Sequence, residues 1–221
     1  CGYESIGSVA SVEVLWETNG YGMKTEPGTV IFDVTLKDGN IYFYTNGVEG
    51  NALVASKDAM GTILWSWHIW VADWDVEATA QNYGNGIIMM DRNLGALSAT
   101  PSDRTLTFGL LYQWGRKDPF PAPSKMNEAN GVLSTVYPAG AIELQTKQSG
   151  VSLETAILNP TVYYWGNDNV GAEDWSSVQN DGYWNTAAKT DYDPCPYGYV
   201  VPDKAQIDAL IASRSGQTAS Y

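Results

Sequence analysis

The sequence predicts a β-rich α+β chain, with a β-sandwich-like segment over residues 1–76 and a longer, more looped unit over 77–221. Three observations carry this. Short strand-like runs separated by turn residues fill residues 8–71. A composition with 22 Gly, 14 Tyr and 12% aromatics fits strands and turns better than a helical bundle. Most prolines and both helix-like patterns come after residue 72.

In chain order, "SVASVEVLW" alternates, with Val9, Ser11, Glu13 and Leu15 opposing Ala10, Val12, Val14 and Trp16. "TVIFDVTL" follows an "EPG" turn, and "KDGN" leads into "IYFYT", where Asp38-Gly39 is a strong hairpin signal. "NGVEGN" precedes "ALVAS", and "KDAMG" precedes "TILWSWHIWV". Residues 61–75 hold four tryptophans and the chain's only histidine. As a strand, they put Ile63, Trp65, Trp67, Ile69 and Val71 on one face, predicted as core. Leu64, Ser66, His68, Trp70 and Ala72 share the other face, so the strand is expected to be covered on both sides. Composition shifts near "WDVEATAQ", the predicted boundary. A first helix is predicted through "RTLTFGLLYQWGRK", capped by Ser102 or Asp103, with Leu106, Leu110 and Trp114 on one face. A second is predicted over "KAQIDALIAS", capped by Asp203, with Ile207, Leu210 and Ile211 at helical spacing.

A formal charge of -13 argues against nucleic acid as a partner, because phosphates would be repelled. No apolar run reaches the length of a membrane span, and the first residues do not have the basic-plus-apolar pattern of a signal segment, so any such segment is expected to have been removed. The two cysteines are Cys1 and Cys195. Cys1 has three readings: the lipidated first residue of a mature lipoprotein, a disulfide partner of Cys195, or a residue inside a longer protein. Only the first would bring the chain to a membrane.

His68 has no second His and no nearby Cys for a zinc site, and no G-x-S-x-G serine to activate, so it reads as a hydrogen-bonded structural residue. Asp91 and Arg92 of "MMDRNLG" are expected on opposite strand faces, Asp91 binding a turn and Arg92 a remote carboxylate. Arg116 and Lys117 are placed at the end of the first helix, complementing its dipole. A Lys117–Asp118 pair there would contribute roughly 0–1 kcal/mol if exposed. Residues 163–184 are the most suggestive stretch. Asn167, Asp168, Glu173, Asp174 and Asp181 are oxygen donors of the kind Ca²⁺ takes, which makes calcium the one candidate cofactor. Tyr163, Tyr164, Trp165, Trp175, Tyr183 and Trp184 could offer ring faces to a ligand. The alternative is a polar loop whose aromatics prop it onto the core. No catalytic constellation is visible, and the chain is not expected to be an enzyme.

"GTILWSWHIWVADWD", "MMDRNLGA", "FGLLYQWGRKDPFPAP" and "YWNTAAKTDYDPCPYGYVVP" occur in that order. Together they resemble surface proteins of Bacteroidetes that carry a domain similar to the Fibrobacter major paralogous domain. The resemblance covers residues 61–120 and 183–202, and more loosely 8–60. It implies a C-type-lectin-like domain at 77–221 behind an immunoglobulin-like or fimbrillin-like segment at 1–76. Tyr199 stands where the family has Trp, the family usually has more chain after the last helix, and residue 1 falls inside the first β unit, so the chain is expected to be incomplete at one or both ends. Asn167-Asp168 resembles the calcium-binding "WND" of true lectins, but Gly166 interrupts it and no "EPN" or "QPD" is present. The resemblance brings no catalytic residues. It implies a non-enzymatic, outer-membrane or extracellular surface protein that binds a glycan or protein. The alternative it leaves is an accessory subunit of an outer-membrane or pilus assembly.

Overall fold

The computed structural model of the chain describes residues 6–20, 25–84, 86–121, 136–146, 150–165 and 174–213. With 31% strand and 14% helix, the chain is β-rich with few helices, compatible with a β-rich α+β fold. Its centre is an antiparallel three-stranded sheet, ordered β1 (Ser11–Thr18), β4 (Gly50–Lys57), β5 (Ile63–Val71). A separate hairpin pairs β2 (Ile31–Lys37) with β3 (Asn40–Thr45). Its two-residue turn places Asp38 at φ 51° and Gly39 at φ 74°, the double positive φ of a type I′ turn. The hairpin falls where the Asp-Gly pair predicts it.

The middle strand β4 is buried along nearly its whole length, because the sheet is covered on both faces. On one side Ala52 and Val54 join Val30 and Ile31, with Val14, Ile41, Phe43 and Ile69 packed around them. On the other, Leu53 joins Trp16 and Val136, backed by Leu15 and Leu110. One element of β1 departs from strict alternation. Val14 pairs with Val54 and Trp16 with Leu53, so a bulge at Leu15 sends Val14 and Trp16 to opposite faces rather than the shared face predicted. Next to it, the Glu17 carboxylate accepts bonds from the backbone N–H groups of Gly28, Val30 and Ile31 at 2.8, 2.8 and 3.1 Å. That buried carboxylate fixes the approach into β2.

β5 corrects a second expectation. Ile69 and Val71 do pack into the core, but Trp67 is 36% exposed and Trp65 and Trp70 are only half-buried. The two-stranded hairpin is too narrow to cover its face of a nine-residue edge strand from end to end, and Trp70 lies on the opposite face, paired with Asn51.

Past β5, a short hairpin joins β6 (Gln81–Asn82) to β7 (Ile88–Met89). The first predicted helix is only a 3-10 helix over Pro101–Thr107, with Thr100 as its cap residue, so Ser102 and Asp103 lie inside it. Gly109 ends the helical path at φ 72°, and a Cβ there would sit 2.5 Å from the Leu94 carbonyl oxygen. The chain then turns back as Leu111 and Phe120 exchange backbone bonds of 2.8 Å. Strands β8 (Glu143–Thr146) and β9 (Val162–Trp165) run parallel, joined through α1 (Leu153–Leu158), a helix the sequence reading missed. Its signal is Ser152, whose side chain accepts from the Thr155 N–H. Finally α2 spans Lys204–Ser213. Asp203 accepts from Gln206 N–H at 2.8 Å while Gln206 Oε1 accepts from Asp203 N–H at 3.1 Å, a reciprocal cap at the predicted residue. Among the described residues, no helix is long and apolar enough to cross a membrane.

Arg116 organises the second half. Its guanidinium donates to Gln113 Oε1 and Val162 O at 2.8 Å, and to Ala156 O and Asn159 O at 3.3 and 3.2 Å. It therefore satisfies carbonyls at the end of α1, a helix distant in sequence, rather than of its own segment. Burial lowers its pKa to about 10, with nearby Asp118 opposing the shift, so it stays charged at neutral pH.

Candidate functional site

Among the described residues β5 pairs with β4 along one edge, α1 packs against it, and beyond Ser66 its strand lines a trough shared with the segment 191–196. The first part of that edge is closed. Lys117 Nζ donates to Ser66 O at 2.9 Å, to Ser66 Oγ at 2.6 Å and to Asp118 Oδ1 at 2.5 Å. Ser66 Oγ in turn donates to Asp118 at 2.7 Å, and the ammonium lies 4.5 Å from the centre of the Trp65 ring. Burial pulls the Lys117 pKa down while Asp118 favours its charged form. The local pair the sequence suggests is formed and is enclosed, with side chains 9% and 3% exposed, so the small value of an exposed pair does not apply; through Ser66 it welds β5 to residues 117–118. Ser66 is buried and its hydroxyl is committed to Asp118, so the cluster holds layers together rather than offering a nucleophile.

Beyond Ser66 the edge opens into a trough of about 440 Å³. Trp67, His68, Trp70, Trp74 and Val76 line its strand side. Asp191, Asp193, Pro194 and Pro196 form the opposite wall. Trp70 and Trp74 tilt against each other at 4.7 Å, and His68 stacks on Trp70 at 6.4 Å. The Arg92 guanidinium lies 4.6 Å from the centre of the Trp74 ring and grips Asp91 through two bonds of 2.8 and 3.2 Å. These neighbours therefore pair with each other, against expectation. They lie in a bend, where adjacent side chains are not forced to opposite faces. The Trp70 indole N–H is buried without a hydrogen-bond partner among the described residues.

His68 is the structural residue the sequence predicts. Its Nε2 lies 2.9 Å from Asn51 Oδ1, and Asn51 Nδ2 donates to Gly95 O at 2.9 Å. Burial lowers its pKa to about 4, so the ring is neutral at pH 7 and Nε2–H serves as the donor.

The far wall is held from within. Asp193 accepts from Cys195 N–H at 2.8 Å, Val201 N–H at 2.9 Å and Lys189 Nζ at 2.8 Å. Lys189 also donates to Cys195 O at 2.6 Å and Tyr199 O at 3.0 Å. Burial, aided by Asp193, pushes the Cys195 thiol up to about 12, which leaves it unreactive. The trough is closed at one end by Trp65 against Tyr192 at 6.3 Å. At the other, the Tyr199 hydroxyl donates to Val76 O at 3.1 Å.

The stretch 163–184 distributes differently from its sequence reading. Tyr164 and Trp175 are core, packed with Ala156 and Val162, and the Trp175 indole donates to Trp114 O at 2.8 Å. Their rings are therefore closed to a ligand. Trp184 is half-buried, donates to Tyr192 O at 2.9 Å and leans on Trp114 at 4.8 Å. Tyr183 meets Tyr192 edge-on at 5.6 Å, and Tyr163 meets Phe120 at 5.2 Å. Trp165 alone of the six is exposed, at 45%. Of the calcium candidates, Asn167, Asp168 and Glu173 lie outside the described residues, as does Cys1. Asp174 caps the backbone of Ser176 at 2.9 Å, and Asp181 lies in a 3-10 turn, Asp181–Tyr183. Among the described residues, no three acidic, His or Cys side chains converge as a metal site would require.

Sequence reasoning placed the tryptophans of β5 in the core and missed the trough. A larger groove of about 840 Å³ lies between the β6–β7 hairpin and residues 197–206, lined by Met89, Met90 and Tyr197 among others. The trough beside β5 has the denser aromatic lining and a strand edge that is unpaired among the described residues. Scans against family models, curated proteins and solved structures find no match for this chain.

Proposed function

We propose that the chain is a non-enzymatic binding and adhesion protein of the cell surface, and that it holds a glycan or protein ligand in the trough beside β5. One observation carries the reading. Trp67, Trp70 and Trp74 line a solvent-open trough opposite Asp191, a pairing of apolar ring faces with polar rims that suits recognition by stacking and hydrogen bonding. The surface location rests on the resemblance of residues 61–120 and 183–202. So does the finer architecture, an immunoglobulin-like segment followed by a C-type-lectin-like domain. The three-stranded sheet packed on a two-stranded hairpin is compatible with the first of these units. A second reading, an accessory subunit of an outer-membrane or pilus assembly, is favoured by the edge of β5 that no strand pairs with among the described residues.

The test is a paired screen of the purified chain on glycan and peptide arrays, with calcium and with a chelator. Binding that falls at least tenfold in Trp67→Ala and is kept in Trp165→Ala supports the trough. Binding that survives Trp67→Ala, or no binding on either array, overturns it.

A further inference from the structure

We infer that the occupant of the trough is an extended segment of a partner polypeptide, added as a strand to the free edge of β5, and that this segment is basic as well as apolar. The inference rests on the trough being the contact surface, and it selects polypeptide over glycan.

The main chain of β5 makes the first argument. Among the described residues, Ile63–Val71 forms backbone bonds to β4 and to no other segment. Lys117 reaches the Ser66 carbonyl, so that group points away from β4. By the two-residue period of a strand, the main-chain groups of His68 and Trp70 point the same way, and no ammonium covers them. A row of evenly spaced donors and acceptors is matched by another extended backbone and by no sugar. Lysine at a sheet edge is a known way to block such pairing; here Lys117 covers Ser66 and α1 packs against β5, but no residue of α1 lines the trough beside His68 and Trp70.

Side chains make the second argument. The trough sets Trp67, which is 36% exposed, and Trp74 against Pro194 and Pro196. A docked strand would bury every other side chain among these apolar walls.

Charge makes the third argument and decides between partners. Asp191 and Asp193 line the trough. Asp193 is neutralised by Lys189, and Lys117 by Asp118, which leaves exposed Asp191 as the charge at the rim of a chain of net charge -13. Edge-to-edge pairing of two copies would bring two acidic rims together, whereas a basic segment is attracted.

The probe is a capped seven-residue peptide, Lys-Val-Thr-Val-Thr-Val-Lys, titrated into the whole chain. Tryptophan fluorescence reads binding and amide hydrogen exchange locates it. Saturable binding is expected, with exchange at His68 and Trp70 slowed at least tenfold. Replacing both lysines of the peptide by glutamate should weaken binding at least fivefold. Trp67→Lys should weaken it at least tenfold, and Asp191→Lys severalfold, each with the wild-type unfolding midpoint. Three results overturn the inference. One is no saturable binding of the peptide while glycans still bind and are lost in Trp67→Ala, which leaves the trough a contact surface for sugar. Another is protection at a site other than β5. The last is a concentration-dependent dimer that protects β5 without peptide, which would make a second copy the occupant.

Discussion

His68 makes its bond to Asn51 as a neutral ring, and that sets how the fold answers to acid. Its folded pKa of about 4 lies below the ordinary histidine value of about 6.5. Between those values the unfolded chain binds the proton and the folded chain does not, so stability rises with pH through this window and levels off above it. With no other histidine in the chain, the region from pH 7.5 to 5.5 isolates the effect from most carboxylates. Urea midpoints should fall across that range by the equivalent of about 1 kcal/mol. His68→Gln should flatten the dependence, and a slope that persists in the variant would assign it elsewhere. The structural role of His68 was legible because no partner for catalysis or zinc stood near it in sequence. The role of Arg116 was not. Its acceptors at Val162, Ala156 and Asn159 lie 40 or more residues away, and nothing local to "WGRK" announces them.

Individual elements were readable where a few adjacent residues decide the backbone. Asp38-Gly39 decides the β2–β3 hairpin, and the Asp203/Gln206 pair decides the start of α2. Gly39→Val would force a β-branched residue to keep φ 74°. It should cost roughly 1–2 kcal/mol in urea unfolding, and a neutral result would mean that the turn relaxes to another type. Elements were unreadable where contacts from elsewhere override local pattern. Leu106, Leu110 and Trp114 have helical spacing, yet close approach to Leu94 fixes Gly109 at positive φ and ends the helix there. At Leu15, alternation fails because β1 must supply Val14 to one core and Trp16 to another.

At the scale of the whole molecule, β4 is shared property. Val54 faces the hairpin layer and Leu53 the layer built by Val136 and Leu110, so neither side can lose its packing without exposing the same strand. Asn51 bonded to Gly95 and Ser66 bonded to Asp118 tie the layers further. Calorimetry should show one cooperative transition. Leu53→Ala and Val54→Ala should each lower that single transition, by about 2–5 and about 1–3 kcal/mol. Two resolved transitions would separate the halves. The trough belongs to this scale as well, which is why the tryptophans of β5 read as core. Their spacing along one strand says they are apolar, but not that the wall opposite comes from residues 191–196 and stands open.

The bond from Tyr199 to Val76 spans 123 residues, whereas that from Lys117 to Ser66 spans 51. On a ribosome these contacts form in order. At roughly 5–20 residues per second, Val76, just past the tryptophan-bearing edge of β5, is synthesised roughly 6–25 s before Tyr199, which closes the end of the trough there. For much of that interval Lys117 is the part of the later chain already made that can guard the edge. The nascent protein thus presents a half-protected strand edge to the cell that makes it, and its yield should depend on whatever keeps that edge from the wrong neighbour until Tyr199 arrives.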